Sequence, residues 1–386
     1  MTIQHAEATL GDAHPILPRP SHDELEEQMF VRDLKGFVSR QLEPTQRKLV
    51  EHVASSIDPR SINDSVGALR EAMMKDESFR AWLSLRRESQ TFLWEVVADS
   101  LDRQKDELAA RAAIAAPLGS LNLDPSLAVP DYLDEADIHL MPGGYGGDPE
   151  AGSALQGALM DRGGAVYMLG RNGGALNDLR GHAAMAHILT LYPDLEPSRI
   201  LELGCGVGVS AVPAKTCFPE AEVYGIDIGA SLLRYAHARA ERMGVPIHFS
   251  QQNAEHTDFP DSSFDLVYSC VVLHETSQAA MTAIMEESRR LLRPGGVALH
   301  LEVPNAGVGQ GPWEDLHADL ERDYNNEPNW SVAVAADYGA LMRAAGFKDV
   351  QVGYQQATPD ARTGPLHFGP ENHGAFRSWF IASGRA

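Results

Sequence analysis

The chain has 386 residues, enough for two ordinary domains or for one domain with a large extension. Hydrophobic residues make up 44% of it, which supplies a proper buried core and excludes global disorder. The formal charge of -22 is spread over both halves, and a field of that sign repels phosphate backbones and anionic membranes, so nucleic acid is not an expected partner. The three cysteines, Cys205, Cys217 and Cys270, form neither a CxxC pair nor a disulfide framework, which fits a reducing, cytoplasmic setting. No basic start followed by an apolar run opens the chain, and no stretch approaches the roughly 18 apolar residues of a membrane span, so neither a signal peptide nor a transmembrane helix is expected.

Residues 1–20 carry three prolines and no periodicity, the texture of a loose arm. Ser21 with Glu24 forms a capping-box signal, behind which Phe30, Leu34, Phe37, Val38 and Leu42 recur at helical spacing. Pro44 ends that helix or starts the next, where Leu49 and Val53 share a face. Val66, Leu69 and Met73 mark another helix. Phe79, Trp82 and Leu83, then Leu93, Val97 and Leu101, continue the pattern to about residue 112. The aromatic stripe of Phe30, Phe37, Phe79, Trp82, Phe92 and Trp94 reads mostly as core. From 115 to 175 the texture changes to Pro and Gly punctuation, including Met141–Gly147 and Arg171–Gly174. Sixty residues of this kind are too many for a simple connection, and predict either an ordered cap over a site or a mobile segment.

A helix is predicted over Asp178–Leu191, and strand–helix alternation follows. Strands are expected at Arg199–Leu203, Glu222–Asp227, Ile247–Ser250, Phe264–Cys270 and Val297–Val303, with helices at Ala230–Met243 and Thr282–Leu292. This alternation implies a parallel sheet covered by helices on both faces. The tail adds a helix at Tyr338–Ala345 and strands at Lys348–Tyr354 and Ala375–Ser383, which have no helix between them and should pair antiparallel. The fold class is therefore α/β, a seven-stranded mixed sheet of Rossmann-like type, spanning residues 176–386 behind a helical N-terminal region of residues 1–175.

The strongest chemical signal is strand, glycine loop, helix, strand, acid. The loop Glu202-Leu203-Gly204-Cys205-Gly206-Val207-Gly208 lets the backbone turn tightly and approach a ligand, and the next helix presents its free N–H groups there. Asp227, at the end of the second strand, can accept the ribose hydroxyls of a nucleotide-like ligand. The bland alternative is a structural turn with a capping aspartate. Position 209 is valine, so the third glycine of the dinucleotide fingerprint is missing. The acid at Glu202, ahead of the loop, suits a cationic ligand better than a pyrophosphate.

Four motifs in order resemble those of class I, Rossmann-like S-adenosylmethionine-dependent methyltransferases of small-molecule type. They are ILELGCGVG, YGIDIGASLLRYA, QQNAEHTDFPDSSFDLVYSCVVLHE and LLRPGGVALHLEV, the last with its turn at Pro294-Gly295-Gly296. The resemblance covers residues 178–303 well and the C-terminal hairpin more loosely. It implies S-adenosyl-L-methionine as cofactor, with Gly204, Cys205, Gly206 and Gly208 cradling its methionyl part beside Glu202. It further implies Asp227 on the ribose, Ile228 on the adenine face, and Asn253 and Ala254 at the adenine edge. Asn253 departs from the aspartate often found there but keeps a carbonyl acceptor. Cys270 falls beside the reacting methyl group, where a small residue permits close approach.

Methyl transfer leans on positioning, with a base needed only when the acceptor must lose a proton. The candidate catalytic residues are His274 and Glu275, just past the fourth strand at the sheet's carboxyl edge; the alternative is a packing or cap histidine. Asp137 and His139 point the same way on an extended segment and could form half of a metal set, but no third ligand is evident and no metal is assigned. Trp313, Tyr324 and Trp330, in the segment Pro304–Trp330, are either walls of an acceptor pocket or anchors of a surface loop. The expected partner is a small-molecule acceptor, methylated at O, N or C, with a homodimer through the N-terminal helices as a further expectation. Other chemistry on the same cofactor (cyclisation or elimination), a protein acceptor, and a nicotinamide-dependent oxidoreductase stand as alternatives.

Overall fold

The computed structural model describes residues 14–57, 65–134, 137–148, 150–303, 311–364, 366–374 and 376–386. Most of the N-terminal arm, the start of the Pro304–Trp330 segment and Ala375 of the expected last strand lie outside them.

Among the described residues nine strands form one sheet, two more than expected. They are β1 Ser120–Asn122, β2 Arg199–Leu203, β3 Glu222–Asp227, β4 His248–Gln251, β5 Phe264–Cys270, β6 Leu292–Glu302, β7 Lys348–Gln356, β8 Phe368–Gly369 and β9 Ser378–Arg385, in the order β1-β4-β3-β2-β5-β6-β9-β7-β8. The seven expected strands are its centre, and β7 and β9 pair antiparallel. The two extra strands are edge additions of three and two residues, too short to leave a periodic signal. One of them, β1, comes from the Pro/Gly-punctuated region and pairs parallel with β4. Within β6 the ladder to β5 shifts register between Phe264 and Leu266. Gly295 sits there at φ 82, so Pro294-Gly295-Gly296 turns inside the element. The central strands are buried on both faces, as helices on each side require; Ile200, Leu201, Leu203, Leu266 and Val267 are fully enclosed.

The chain runs outward from β2 through β3 to β4, then crosses back so that β5 lies on the other side of β2. The strand order reverses at this point, and the crevice beyond the carboxyl ends of β2 and β5 is the natural ligand position of an open α/β sheet. The ends of β2, β3, β5 and β6 therefore bring Leu203, Asp227, Cys270 and Glu302 to one edge.

The N-terminal region builds a wall over that edge. The capping box closes as expected, Ser21 and Glu24 bonding reciprocally at the start of helix His22–Phe37. That helix does not stop before Pro44: a π turn at Val38–Leu42 carries it into Glu43–Ala54, with Pro44 just inside the second segment. Helices Ser65–Met73 and Glu77–Ala112 follow. Trp82, Phe79 and Trp94 are buried, but Phe30, Phe37 and Phe92 are exposed. The periodicity marks an apolar face, and among the described residues no element covers this part of it.

The 137–148 stretch is ordered, and a helix absent from the sequence reading, Leu155–Tyr167, comes after it. The glycines of that helix explain why its period was not legible. A Cβ at Gly157 would stand 2.3 Å from Tyr235 Cβ, and one at Gly163 would stand 2.1 Å from the Trp94 ring. The helix is glycine-rich because it is wedged between helix Ala230–Arg242 and the long N-terminal helix. Its Asp161 is fully buried, accepts from Tyr235 Oη at 2.8 Å and lies 2.9 Å from His14 Nε2.

Candidate active site

A cavity of about 560 Å³ opens at the switch point. Its floor is the glycine loop. Gly204, Gly206 and Gly208 have φ of 64, 51 and 74, the left-handed region that a side chain resists. A Cβ on Gly206 would also come within 3.1 Å of Met160 Cε, which lines the same cavity. Gly208 stands behind the loop: it packs toward Phe249 and Ala236, and its carbonyl accepts from Arg239 Nη1 at 3.2 Å.

Asp227 accepts from Gly206 N at 2.8 Å through one oxygen and from Gly229 N at 2.9 Å through the other. It thus has the turn-capping role weighed against ligand binding, and it lines the cavity as well. Burial raises its carboxyl above the ordinary value, against the backbone donors. Ile228, Asn253 and Ala254 continue the wall. Asn253 Oδ1 accepts from Glu255 N at 2.9 Å, leaving its second lone pair. Tyr132, donating to Glu255 at 2.9 Å, brings the N-terminal region against this end.

Glu202 is 2% exposed, and burial pushes its carboxyl up to about 8 despite Tyr268 Oη donating at 3.1 Å and the positive field of Arg180. Arg180, which the sequence reading missed, lines the cavity with its Nε buried and without a hydrogen-bond partner, and burial depresses its affinity for the proton. An acid and an unsatisfied guanidinium side by side match the ammonium and carboxylate of an amino-acid moiety, so these residues fit the methionyl end of S-adenosylmethionine. The signal for Arg180 was slight: a charged residue within an otherwise apolar helix, Leu179–Leu191. Cys270 is buried and burial raises its thiol, so it contributes small size and no thiolate.

The far end holds His274 and Glu275, which the structure joins to His139. Strand β5 ends at Cys270, Val271 takes φ 56, and a short turn at Leu273–Glu275 follows. Glu302, at the end of β6, accepts from Val272 N and Leu273 N at 3.0 and 2.7 Å and from His274 Nδ1 at 2.6 Å. His274 Nε2 lies 3.2 Å from Glu275 Oε1, and His139 Nε2 lies 3.1 Å from the same oxygen. On its other side His139 Nδ1 meets Glu327 at 2.9 Å. Burial opposes charge on both histidines, but the surrounding glutamates, with Tyr145 and Tyr167 beside His139, more than offset it and raise both well above their ordinary value. Glu275 is likewise held low by the two histidines against its own burial.

Asp137 is not part of this group. Its Oδ1 accepts from Gly143 N at 2.9 Å and steadies the turn. Of the three aromatics expected as walls or anchors, Trp330 lines the cavity, 5.3 Å from the His274 ring. Trp313 instead packs on Trp82 at 5.7 Å, and Tyr324 joins the same cluster, pinning helix Pro312–Tyr324 to the N-terminal helices. Glu302 and Glu327 were missed. Glu302 had a usable signal, an acid at the carboxyl edge of an apolar strand; Glu327 sits among many acids and had none.

The strand order, the glycine loop and Asp227 at the end of β3, with Glu202 and Arg180 lining the same cavity, are the features that the methyltransferase resemblance implies. Residues 200–296 match the family model described as a methyltransferase domain. The chain is 35% identical over 108 residues to a demethylmenaquinone methyltransferase of Thermus thermophilus, covering 28% of this chain and 48% of that protein. It is 31% identical over 132 residues to a malonyl-[acyl-carrier protein] O-methyltransferase of Dechloromonas aromatica, covering 34% and 45%. It is 29% identical over 176 residues to a trans-aconitate 2-methyltransferase of Methylobacterium radiotolerans, covering 43% and 60%. The chain thus spans about half the length of the first two relatives. Among the described residues, no helix is long and apolar enough to cross a membrane.

Proposed function

We propose that the whole chain is an S-adenosylmethionine-dependent methyltransferase acting on a small-molecule acceptor at O, N or C. The observation that carries this is the single cavity running from Asp227, through the glycine loop, to His274 and Trp330. Its volume lies within the roughly 300–1,000 Å³ of small-molecule sites. When bound, the cofactor supplies an activated methyl group. Asp227, Asn253 and Ile228 hold the nucleoside end, Glu202 and Arg180 hold the amino-acid end, and Cys270 leaves room at the sheet edge. His274 and Glu275, with His139 and Tyr145, contact the acceptor and orient its reacting atom. The N-terminal region through residue 175 acts as the cap that keeps water out, and residues 176–386 form the catalytic domain. The three relatives carry three different acceptors in their names, so they favour none.

The test is incubation of the full chain with methyl-labelled S-adenosylmethionine and a metabolite extract, followed by mass spectrometry for a labelled product. Cofactor binding without any labelled small molecule would overturn the reading in favour of another chemistry or a protein acceptor. The exposed Phe30 and Phe37 rings, 62% and 50% accessible, support a homodimer through the N-terminal helices. A monomeric mass by light scattering at assay concentration would refute it. The acidic surface and three buried free cysteines support a cytoplasmic setting without nucleic-acid partners.

A further inference from the structure

At the acceptor end, five ionisable side chains stand in one line: Glu327, His139, Glu275, His274 and Glu302. They come from four separate stretches of chain, so only the fold assembles them. Each histidine offers its Nδ1 to an outer glutamate, and both Nε2 atoms converge on the carboxylate of Glu275 at 3.1 and 3.2 Å. The three inner ligand atoms all lie within 4.8 Å of one another. Tyr145 Oη donates to the same Glu275 oxygen at 3.0 Å. The second oxygen of Glu275 is buried and has no hydrogen-bond partner. An ordinary ion-pair cluster spreads its donors over both oxygens of a buried carboxylate. Here they crowd to one point and leave an acceptor unused.

We infer that this point binds a divalent first-row transition-metal ion, with His139 Nε2, His274 Nε2 and the Glu275 carboxylate as its protein ligands. Metal-bound histidines characteristically place their other ring nitrogen on a carboxylate, which fixes tautomer and ring orientation; both histidines are held in this way. Ligands at about 2.0–2.2 Å from a zinc-sized ion stand roughly 3–3.5 Å apart in a tetrahedron, close to the spacing of each histidine from Glu275. Metal ligation requires both imidazoles to give up a proton, and the three carboxylates around them then favour a dication in its place. Two imidazoles and a carboxylate, with no thiolate, favour zinc, iron, cobalt or manganese over copper(I), magnesium or calcium. Three protein ligands leave coordination positions open, and the cavity is where an oxygen of the acceptor or a water reaches them.

The backbone is set up for the same purpose. His139 and Leu140 take φ of 58 and 57, a left-handed pair without glycine that is stable only when its surroundings enforce it. Gln90 and Trp94 do so by donating to the His139 carbonyl at 2.8 and 2.7 Å. The placement of the ion beside the acceptor rests on the methyl-transfer reading; the ion's presence does not, and it is measured without turnover.

The test uses tag-free full chain stripped with a chelator and titrated with Co²⁺ alone, then with Zn²⁺ as competitor. The expected result is about one ion per chain by elemental analysis, with visible d–d bands that Zn²⁺ abolishes. His139→Ala and Glu275→Gln should each weaken binding at least about 100-fold, and Glu327→Gln, which only positions His139, about 10- to 100-fold. Cofactor affinity, measured in parallel, should change little and shows that the variants are folded. A stripped wild-type chain that takes up neither ion overturns the inference, as does uptake at unchanged affinity in folded His139→Ala and Glu275→Gln. Should a variant fail to fold, the wild-type stoichiometry and spectrum decide alone. Metal uptake without cofactor binding would sink the methyl-transfer reading and leave the metal site standing; the reverse result would do the opposite.

Discussion

His274 and Glu302 meet across 2.6 Å, joining the turn after β5 to the end of β6. With the same side chain receiving Val272 N and Leu273 N, one glutamate fixes both the backbone of the turn and the ring it carries. Glu302→Gln keeps a carbonyl for the two N–H groups but faces the ring nitrogen with an amide. Turnover should fall about 10- to 100-fold while the Kd for cofactor stays within a factor of two or so. Equal losses in both, from steady-state kinetics beside calorimetry, would mean that the residue serves only the fold.

Asp227→Ala removes the acceptor of Gly206 N and Gly229 N as well as the proposed nucleoside contact. Each hydrogen bond from a ribose hydroxyl to this charged acceptor is worth about 1.5–3 kcal/mol, so with two of them lost cofactor affinity should drop by at least about 100-fold. Calorimetry showing an unchanged Kd would remove Asp227 from the site.

Glu202 should make cofactor binding pH-dependent. Its carboxyl is raised to about 8 from an ordinary value of 4.5 by burial, against Tyr268, Arg180 and Arg239 and with the added repulsion of Asp227. A cationic amino group prefers the ionised form, so below about pH 8 binding must release a proton. Affinity should rise by up to about tenfold per pH unit and level off above 8. For the free protein the sign is opposite. The folded state keeps a proton that the unfolded state loses above 4.5, so this group's contribution to stability falls as pH rises from about 4.5 through 8. Glu202→Gln should flatten both profiles; proton release measured in two buffers of different ionisation enthalpy checks the first.

Arg180 carries an unsatisfied buried Nε. Replacing a buried, poorly partnered charge by an apolar side chain of similar length is often neutral or stabilising. Arg180→Met should therefore hold or raise the Tm of the free chain while weakening cofactor binding by about tenfold or more. A variant that loses stability and keeps its affinity would show that the guanidinium is structural.

Gly157→Ala tests the seating of the helix that floors the cap. The new methyl would lie 2.3 Å from Tyr235 Cβ, an atom too near its backbone to move aside. Overpacking of about 1–3 kcal/mol should exceed the roughly 1 kcal/mol gain in helix propensity and lower Tm. A raised Tm would mean that the two helices are free to separate.

What the sequence determined by itself is the fold class and the S-adenosylmethionine cofactor. Motifs from Glu202 to Gly208 and at Asp227 are local: a short strand, a tight turn and an acid lie within one βαβ unit, and their spacing alone requires them to meet at one sheet edge. The parallel pairing followed from the same alternation, and the antiparallel end at β7 and β9 from the lack of a helix between them. The proposed acceptor end was decided by tertiary structure. His139 stood beside Asp137 in the sequence, but its working neighbours are Glu275, His274 and Glu327, brought from positions more than a hundred residues away. No periodicity encodes such contacts, because they depend on how the N-terminal helices are laid over the sheet. The exposed Phe30 and Phe37 make the same point from the other side: amphipathic spacing states which face is apolar, and only packing decides whether anything covers it.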